Sequence, residues 1–204
     1  RARNLQKAAC YLVDVCGGRF PRGLTELQQI PGVGRYTAGA IAAFAYDEYG
    51  PIVDGNVKRL FCRLFGIEGQ LSSSTVTNTL WGLAHSYTPK SDNRAFAQGL
   101  LDMGATLCTP RAPRCDECPF QLACVARQSD RVSQLPTPKI KKVIPTRTGA
   151  FAWQEQDCKL LLEKRPPEGI WGGLWCLPEL QSSGSLIDGS LKGQFDHTFS
   201  HYKL

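Results

Sequence analysis

Four cysteines, Cys108, Cys115, Cys118 and Cys124, stand in the stretch CTPRAPRCDECPFQLAC, separated by six, two and five residues. Thiolates crowded in this way are first of all metal ligands. A segment so short, broken by Pro110, Pro113 and Pro119, buries too little apolar surface to hold itself together unaided. Structural zinc usually takes two CxxC knuckles, and only Cys115 and Cys118 have that spacing, whereas the wider gaps suit a [4Fe-4S] cluster. A disulfide pair is the remaining option. The chain has nine cysteines, an odd number, which fits a reducing cytoplasmic compartment better than an oxidising one.

Two further stretches carry chemistry. In LQQIPGVGRYTAGA, residues 27–40, Pro31 ends a short helix, Gly32 and Gly34 permit a tight turn, and a small-residue helix starts at Arg35. A helix-hairpin-helix of this kind aims the backbone N–H groups of Gly32, Val33, Gly34 and Arg35 at a point where a phosphate can sit. The same residues also serve as a plain glycine-rich helix junction. In PIVDGNVKRLFCRLF, Asp54 precedes a helix and is a good N-cap, and a carboxylate held at a helix entrance stays ionised. Capping and chemistry are compatible there.

These residues need elements to position them. Apolar residues recur at helical spacing from Leu5 to Cys16, closed by Gly17 and Gly18. STVTNTLWGLAHSY and DNRAFAQGLLDMGATLC repeat the pattern after Ser and Asp caps, so residues 1–127 read as all-helical. Residues 128–147, with three prolines and much basic charge, read as a linker over a surface. From 148 to 204 the pattern changes to β-like runs around polar turns, TGAFAWQEQDCKLLLEKRPP and then QFDHTFSHYKL, predicting a second domain with a sheet. No apolar run approaches the ~20 residues that span a bilayer. A net charge of +6 is compatible with a polyanionic partner and equally with simple solubility.

LQQIPGVGRYTAGA, PIVDGNVKRL and the C-x6-C-x2-C-x5-C tail, in that order, resemble the helix-hairpin-helix DNA glycosylases of the endonuclease III superfamily, in the branch that removes adenine mispaired with 8-oxoguanine or guanine. RTGAF, EKRPPEGIWGGLWCLPE and HTFSH are similar to that branch's C-terminal Nudix-like domain, so the resemblance covers nearly the whole chain. The fold it implies is an α plus α/β arrangement: an all-helical glycosylase domain with an iron–sulfur loop, then a mixed α/β Nudix-like domain, each incomplete at its outer end. The cofactor implied is a [4Fe-4S] cluster on Cys108, Cys115, Cys118 and Cys124. The partner implied is double-stranded DNA with A:8-oxoG or A:G mispairs, bound by a monomer in a bacterial cytoplasm, with no membrane.

The resemblance also implies roles. Asp54 is the family's catalytic aspartate, stabilising oxocarbenium character at C1′ as the base departs. The family's acid, an upstream glutamate, is expected before residue 1, and neither Glu26 nor Glu48 lies in a matching motif. Tyr36 stands where strand-cutting relatives carry a lysine whose amine attacks C1′. A phenol cannot do so, which implies a monofunctional enzyme leaving an abasic site, Tyr36 supporting the transition state by hydrogen bonding. Asn56 orients the nucleophile or water, and Gln98 reads adenine through its amide. Arg114, with the hairpin, contacts phosphates while the base is flipped. In the second domain Phe199, Ser200 and His201 sense 8-oxoguanine, and the absence of a Glu-rich run after GIWGGLWCLPEL argues against nucleotide hydrolysis. Two other classes stay open: a glycosylase with lyase activity, and a non-catalytic iron–sulfur DNA-binding module.

Overall fold

The computed structural model describes residues 1–139, 143–180, 190–199 and 202–204. The chain divides into two compact units, Arg1–Ile140 and Lys141–Leu204, and each is described by itself.

The described residues of the first unit contain helices and no strand. Helix α1 spans Ala2–Asp14, and Gly17 and Gly18 follow it at φ of 60° and 77°. Helix α2 covers Leu24–Leu27 and α3 covers Arg35–Ala40, which continues as a π-helical turn, Ile41–Ala45. Helix α4 is Gly55–Phe65, α5 is Ser74–Tyr87, and α6 is Asn93–Asp102, running on into a second π-helical turn, Met103–Leu107. A 3-10 turn at Cys115–Glu117 and helix α7, Val125–Gln128, complete the unit.

Helix α4 is central. Val57, Leu60 and Phe61, spaced at helical period, enter one apolar core with Ile52, Leu80, Trp81 and Leu100. Arg59 and Arg63, one turn apart on the same helix, are buried as well, at 9% and 4% exposure. An arginine pair at i, i+4 ordinarily marks a solvated face; here the cysteine-rich segment covers it. A smaller core joins Leu27, Ile30, Ala38 and Ala42, with Tyr11 and Leu12 of α1 packed against it. This core fixes the hairpin between α2 and α3.

Expected caps are met unevenly. The Asp54 side chain accepts from the Val57 N–H at 2.7 Å, whereas neither Ser73 nor Asp92 makes a side-chain cap bond. Asp92 sits at φ 57° and its carboxylate instead accepts from Ser91 Oγ. Left-handed backbone takes it out of capping geometry.

The expected linker begins with a strap packed on the first unit. Arg63 donates from Nε to the carbonyl oxygens of Val132 and Leu135. Leu135 is buried, Thr137 Oγ1 accepts from the Gly69 N–H, and Pro138 O accepts from Gln70. Proline and polar residues make a packed strap and a free linker look alike in sequence.

In the second unit, strands β1 (Glu155–Gln156) and β2 (Lys159–Leu160) pair antiparallel. Asp157 and Cys158 turn between them with φ of 52° and 58°, the conformation of a two-residue hairpin. Strand β3, Glu163–Lys164, pairs antiparallel with β4, Trp175–Cys176. Single bridges join Phe151 to Glu179 and Thr198 to Lys203. The ladders are shorter than the β-like runs because Pro166, Pro167 and the turn residues Gly169 to Gly173 interrupt them.

Candidate active site and cluster loop

Asp54 ends an extended segment at φ −94° and ψ −170° and opens α4. Its Oδ1 is held by the Val57 N–H, which fixes the carboxylate and leaves Oδ2 without a hydrogen bond among the described residues. Tyr36, on the first turn of α3, lies within the field of this carboxylate. Burial, and then the Asp54 charge, push the phenol above its ordinary range, because both disfavour a phenolate. The hairpin and the helix entrance thus bring a neutral hydroxyl and a carboxylate to one place.

Asn56 follows on the same turn, half-buried against Gly104. Its Oδ1 accepts from Arg59 Nη2 at 3.0 Å. Arg59 also donates to Gly104 O at 2.6 Å and, through Nε, to Cys108 O at 2.7 Å. Gly104 is a required glycine: a Cβ there would stand 2.6 Å from Asn56 Cβ. A continuous chain of bonds therefore runs from the first cysteine of the loop to Asn56 beside Asp54.

Cys108, Cys115, Cys118 and Cys124 line one cavity, with Leu64, Leu107 and Phe120 as its apolar wall. Arg63 reaches it from α4, donating to Cys108 Sγ at 3.4 Å, to Thr109 O at 2.7 Å and to Pro110 O at 3.3 Å. A guanidinium at 4% exposure with carbonyls and a sulfur for partners, and no carboxylate ion pair among the described residues, calls for negative charge close by. Deprotonated thiolates would supply it. Burial raises the Cys115 thiol, and the charges of Cys108 and Cys124 raise it further; four thiols so placed are held as thiolates only by a metal centre. Among the described residues no three Cys, His, Asp or Glu side chains converge on a single metal ion. Four cysteines lining one cavity beside a buried cation are a donor set that suits a metal centre.

The remaining candidates are spread out. Gly32 takes φ 85° in the hairpin turn, which demands glycine, whereas Gly34 is extended at φ −88° and would meet nothing with a Cβ added. Only the first of the two supplies the left-handed step. Val33 closes the turn through its N–H to Ile30 O at 2.9 Å, so that donor is spent inside the hairpin and is not, as expected, aimed at a phosphate; Arg35 is exposed at the start of α3. Gln98 is exposed on α6 and donates from Nε2 to Asp102 Oδ1 at 2.7 Å, which fixes its amide orientation. Arg114 is taken up locally by Thr106 O and Glu117. In the second unit Phe199 sits among rings, 5.3 Å from Trp171, 4.3 Å from His197 and 4.9 Å from Tyr202 between centroids. Ser200 and His201 lie outside the described residues.

Sequence reading did not find Arg59, Arg63 or Asp102. The first two had one signal, an i, i+4 arginine pair on a helix entered by Asp54; nothing in sequence says that a cysteine loop covers that face.

Residues 17–44 match the helix-hairpin-helix motif and residues 149–204 match the NUDIX domain. Among solved structures, a thermostable thymine-DNA glycosylase superposes with a TM-score of 0.57 at 32% identity, over 63% of this chain and 58% of that one. A non-covalent endonuclease III–DNA complex superposes at 0.51 and 28% identity, over 63% and 58%. In motif and fold the chain is similar to the helix-hairpin-helix DNA glycosylases. Within them it is similar over its whole length to adenine DNA glycosylases: 34% identical to that of Buchnera aphidicola subsp. Acyrthosiphon pisum (strain APS), of which it covers 61%, and 33% identical to that of Homo sapiens, of which it covers 50%. The Mus musculus enzyme is 44% identical over 82% of this chain and 32% of its own length. The chain thus spans about three fifths of the bacterial relatives that it matches.

Proposed function

We propose that the protein is a monofunctional adenine DNA glycosylase that hydrolyses the N-glycosidic bond of adenine opposite 8-oxoguanine or guanine and leaves an abasic site. The observation that carries this is the pairing of Asp54 with Tyr36. A carboxylate fixed by a helix N-cap bond keeps one oxygen free, and the neighbouring group is a neutral phenol in place of an amine. Oxocarbenium character at C1′ is stabilised by the Asp54 charge. Tyr36 donates a hydrogen bond without becoming a nucleophile, so no covalent Schiff base holds the strand for cleavage. Asn56, held by Arg59, orients the attacking water. Gln98, its Nε2 held by Asp102, presents Oε1 to the amino group of the flipped adenine.

Cys108, Cys115, Cys118 and Cys124 would hold a [4Fe-4S] cluster, whose contribution is to cross-link a loop too small to fold alone. That loop places the Cys108 carbonyl on Arg59, beside the Gly104 carbonyl of the preceding π-helical turn, and thereby steadies Asn56. The hairpin of Gly32, Val33, Gly34 and Arg35 binds DNA phosphates, joined by Arg114 where the mispaired duplex displaces its local partners. Residues 148–204 form the part that recognises 8-oxoguanine, through Phe199, Ser200 and His201, and 128–147 connect it to the glycosylase part, 1–127. The protein acts as a monomer on DNA in the cytoplasm of a bacterial cell.

The test is single-turnover base release by the full-length protein from duplexes carrying adenine opposite 8-oxoguanine, guanine or thymine. Release selective for the first two pairs is expected. Equal release from all three would remove the mispair assignment, and none from any pair would leave a DNA-binding module.

A further inference from the structure

Two side chains of α5, Trp81 and His85, contact Arg35 of the hairpin, and Tyr49, from the loop before α4, braces His85. The guanidinium carbon of Arg35 lies 4.0 Å over the ring of Trp81, which is itself buried in the main core. Arg35 Nη2 is 2.7 Å from His85 Nε2. His85 Nδ1 is 2.8 Å from Tyr49 Oη, and that hydroxyl donates to the carbonyl of His85 at 3.1 Å. An arginine has only donors. Nε2 must therefore accept, Nδ1 must carry the single ring proton and give it to Tyr49 Oη, and the tyrosine proton must go to the backbone. Every hydrogen is accounted for when His85 is neutral, and the arrangement has no place for a second ring proton.

We propose that His85, braced by Tyr49, is a positioning residue that holds Arg35 in its phosphate-binding pose, and that protonation of His85 releases it. This rests on the reading of the hairpin as a DNA-binding element. Trp81 fixes the face of the guanidinium and His85 one edge, so the remaining N–H groups are presented to solvent already ordered. When Nε2 gains a proton, two donors and two positive charges face each other and the edge contact is lost. Burial, and then the Arg35 charge, hold His85 below the usual histidine range, so the holding form prevails at neutral pH; the C-terminal end of α5 acts in the opposite sense. The other charged groups on the loop carrying Tyr49 are engaged elsewhere: Glu48 pairs with Arg22, and Asp47 accepts from the Arg94 N–H. Placement is present above the His85 pKa and lost as pH falls through it.

A new histidine charge by itself strengthens binding to a polyanion, so the sign of the pH effect discriminates. The experiment measures affinity of the full-length protein for a duplex carrying adenine opposite 8-oxoguanine between pH 5 and 8, at several salt concentrations. Affinity is expected to fall about three- to tenfold on acidification, the range of one hydrogen bond's net worth. The slope of log affinity against log salt is expected to become shallower by about 0.9 as one phosphate contact goes. His85→Gln, whose amide oxygen accepts from Arg35 and does not titrate, keeps the neutral-pH affinity at every pH, while His85→Phe has the weakened affinity and slope throughout. Affinity that rises on acidification, or His85→Phe with the wild-type slope at pH 8, overturns the proposal. An NMR titration of the free protein separates the two readings: Arg35→Ala raises the His85 pKa if the contact exists, whatever the DNA does. An unchanged pKa overturns the contact; a raised pKa with no DNA binding by the wild type overturns the DNA-binding reading and, with it, this role.

Discussion

Asp54 caps α4 and, in the proposed function, carries charge for the reaction, two roles that substitution can separate. Asn caps a helix about as well as Asp, whereas Ala forfeits roughly 1 kcal/mol. Asp54→Asn is therefore expected to keep the thermal midpoint of the wild type and lose base release by about a thousandfold or more, and Asp54→Ala to lose both. A midpoint that drops equally in the two variants would make the cap bond to Val57 incidental. Tyr36 gives a pH prediction. Its phenol is raised by burial and by Asp54, so it stays protonated well into alkali, and the pH–rate profile is expected to show no loss from phenol ionisation below about pH 10. A basic limb that disappears in Tyr36→Phe would contradict this. Asp54 and Tyr36 were legible in sequence through their motifs, and Asn56 through its distance from Asp54. The partner that fixes Asn56 was not, because Arg59 gains its meaning only from Gly104 and Cys108, more than forty residues on.

At the scale of elements, the account turns on α4 lying between an apolar core and the cysteine loop. Gly104→Ala drives a methyl into Asn56 Cβ where both ends belong to helical backbone. It should cost about 1–3 kcal/mol, read from denaturant midpoints, and slow base release beyond what the loss of folded protein explains. Arg63→Met leaves the carbonyls of Thr109, Val132 and Leu135 without their buried donor, at about 1–3 kcal/mol for each group left dry. The expected result is a large drop in stability together with lower iron content on purification. Full iron and unchanged stability would show that the face is not held as described. The helices, the hairpin and the break before the β-rich segment were all readable from periodicity and turn residues. The packed strap to Pro138 was not, since its burial depends on Arg63 reaching two of its carbonyls, and the two π-helical turns left no compositional mark.

The whole molecule joins a unit that carries Asp54 and the cysteine loop to one that carries an aromatic cluster around Phe199. The proposed function assigns cleavage chemistry to the first and recognition of the opposite base to the second. Phe199→Ala is accordingly expected to reduce the preference for 8-oxoguanine over guanine by about tenfold, the size of one lost contact, while release from A:G pairs changes little; equal loss on both pairs would assign Phe199 to folding of the sheet. The order of motifs along the chain suggested this division of labour, but ladders as short as β1–β2 and β3–β4 carry no periodicity from which contacts could be inferred. The most direct measurement of the central claim takes full-length protein reacted with a duplex carrying adenine opposite 8-oxoguanine, each sample split between hot alkali, no alkali, and borohydride. Strand breaks confined to the alkali-treated samples, with no protein–DNA adduct after borohydride, are the predicted result. Breaks without alkali, or a trapped adduct, would contradict it and place the protein among the strand-cleaving glycosylases.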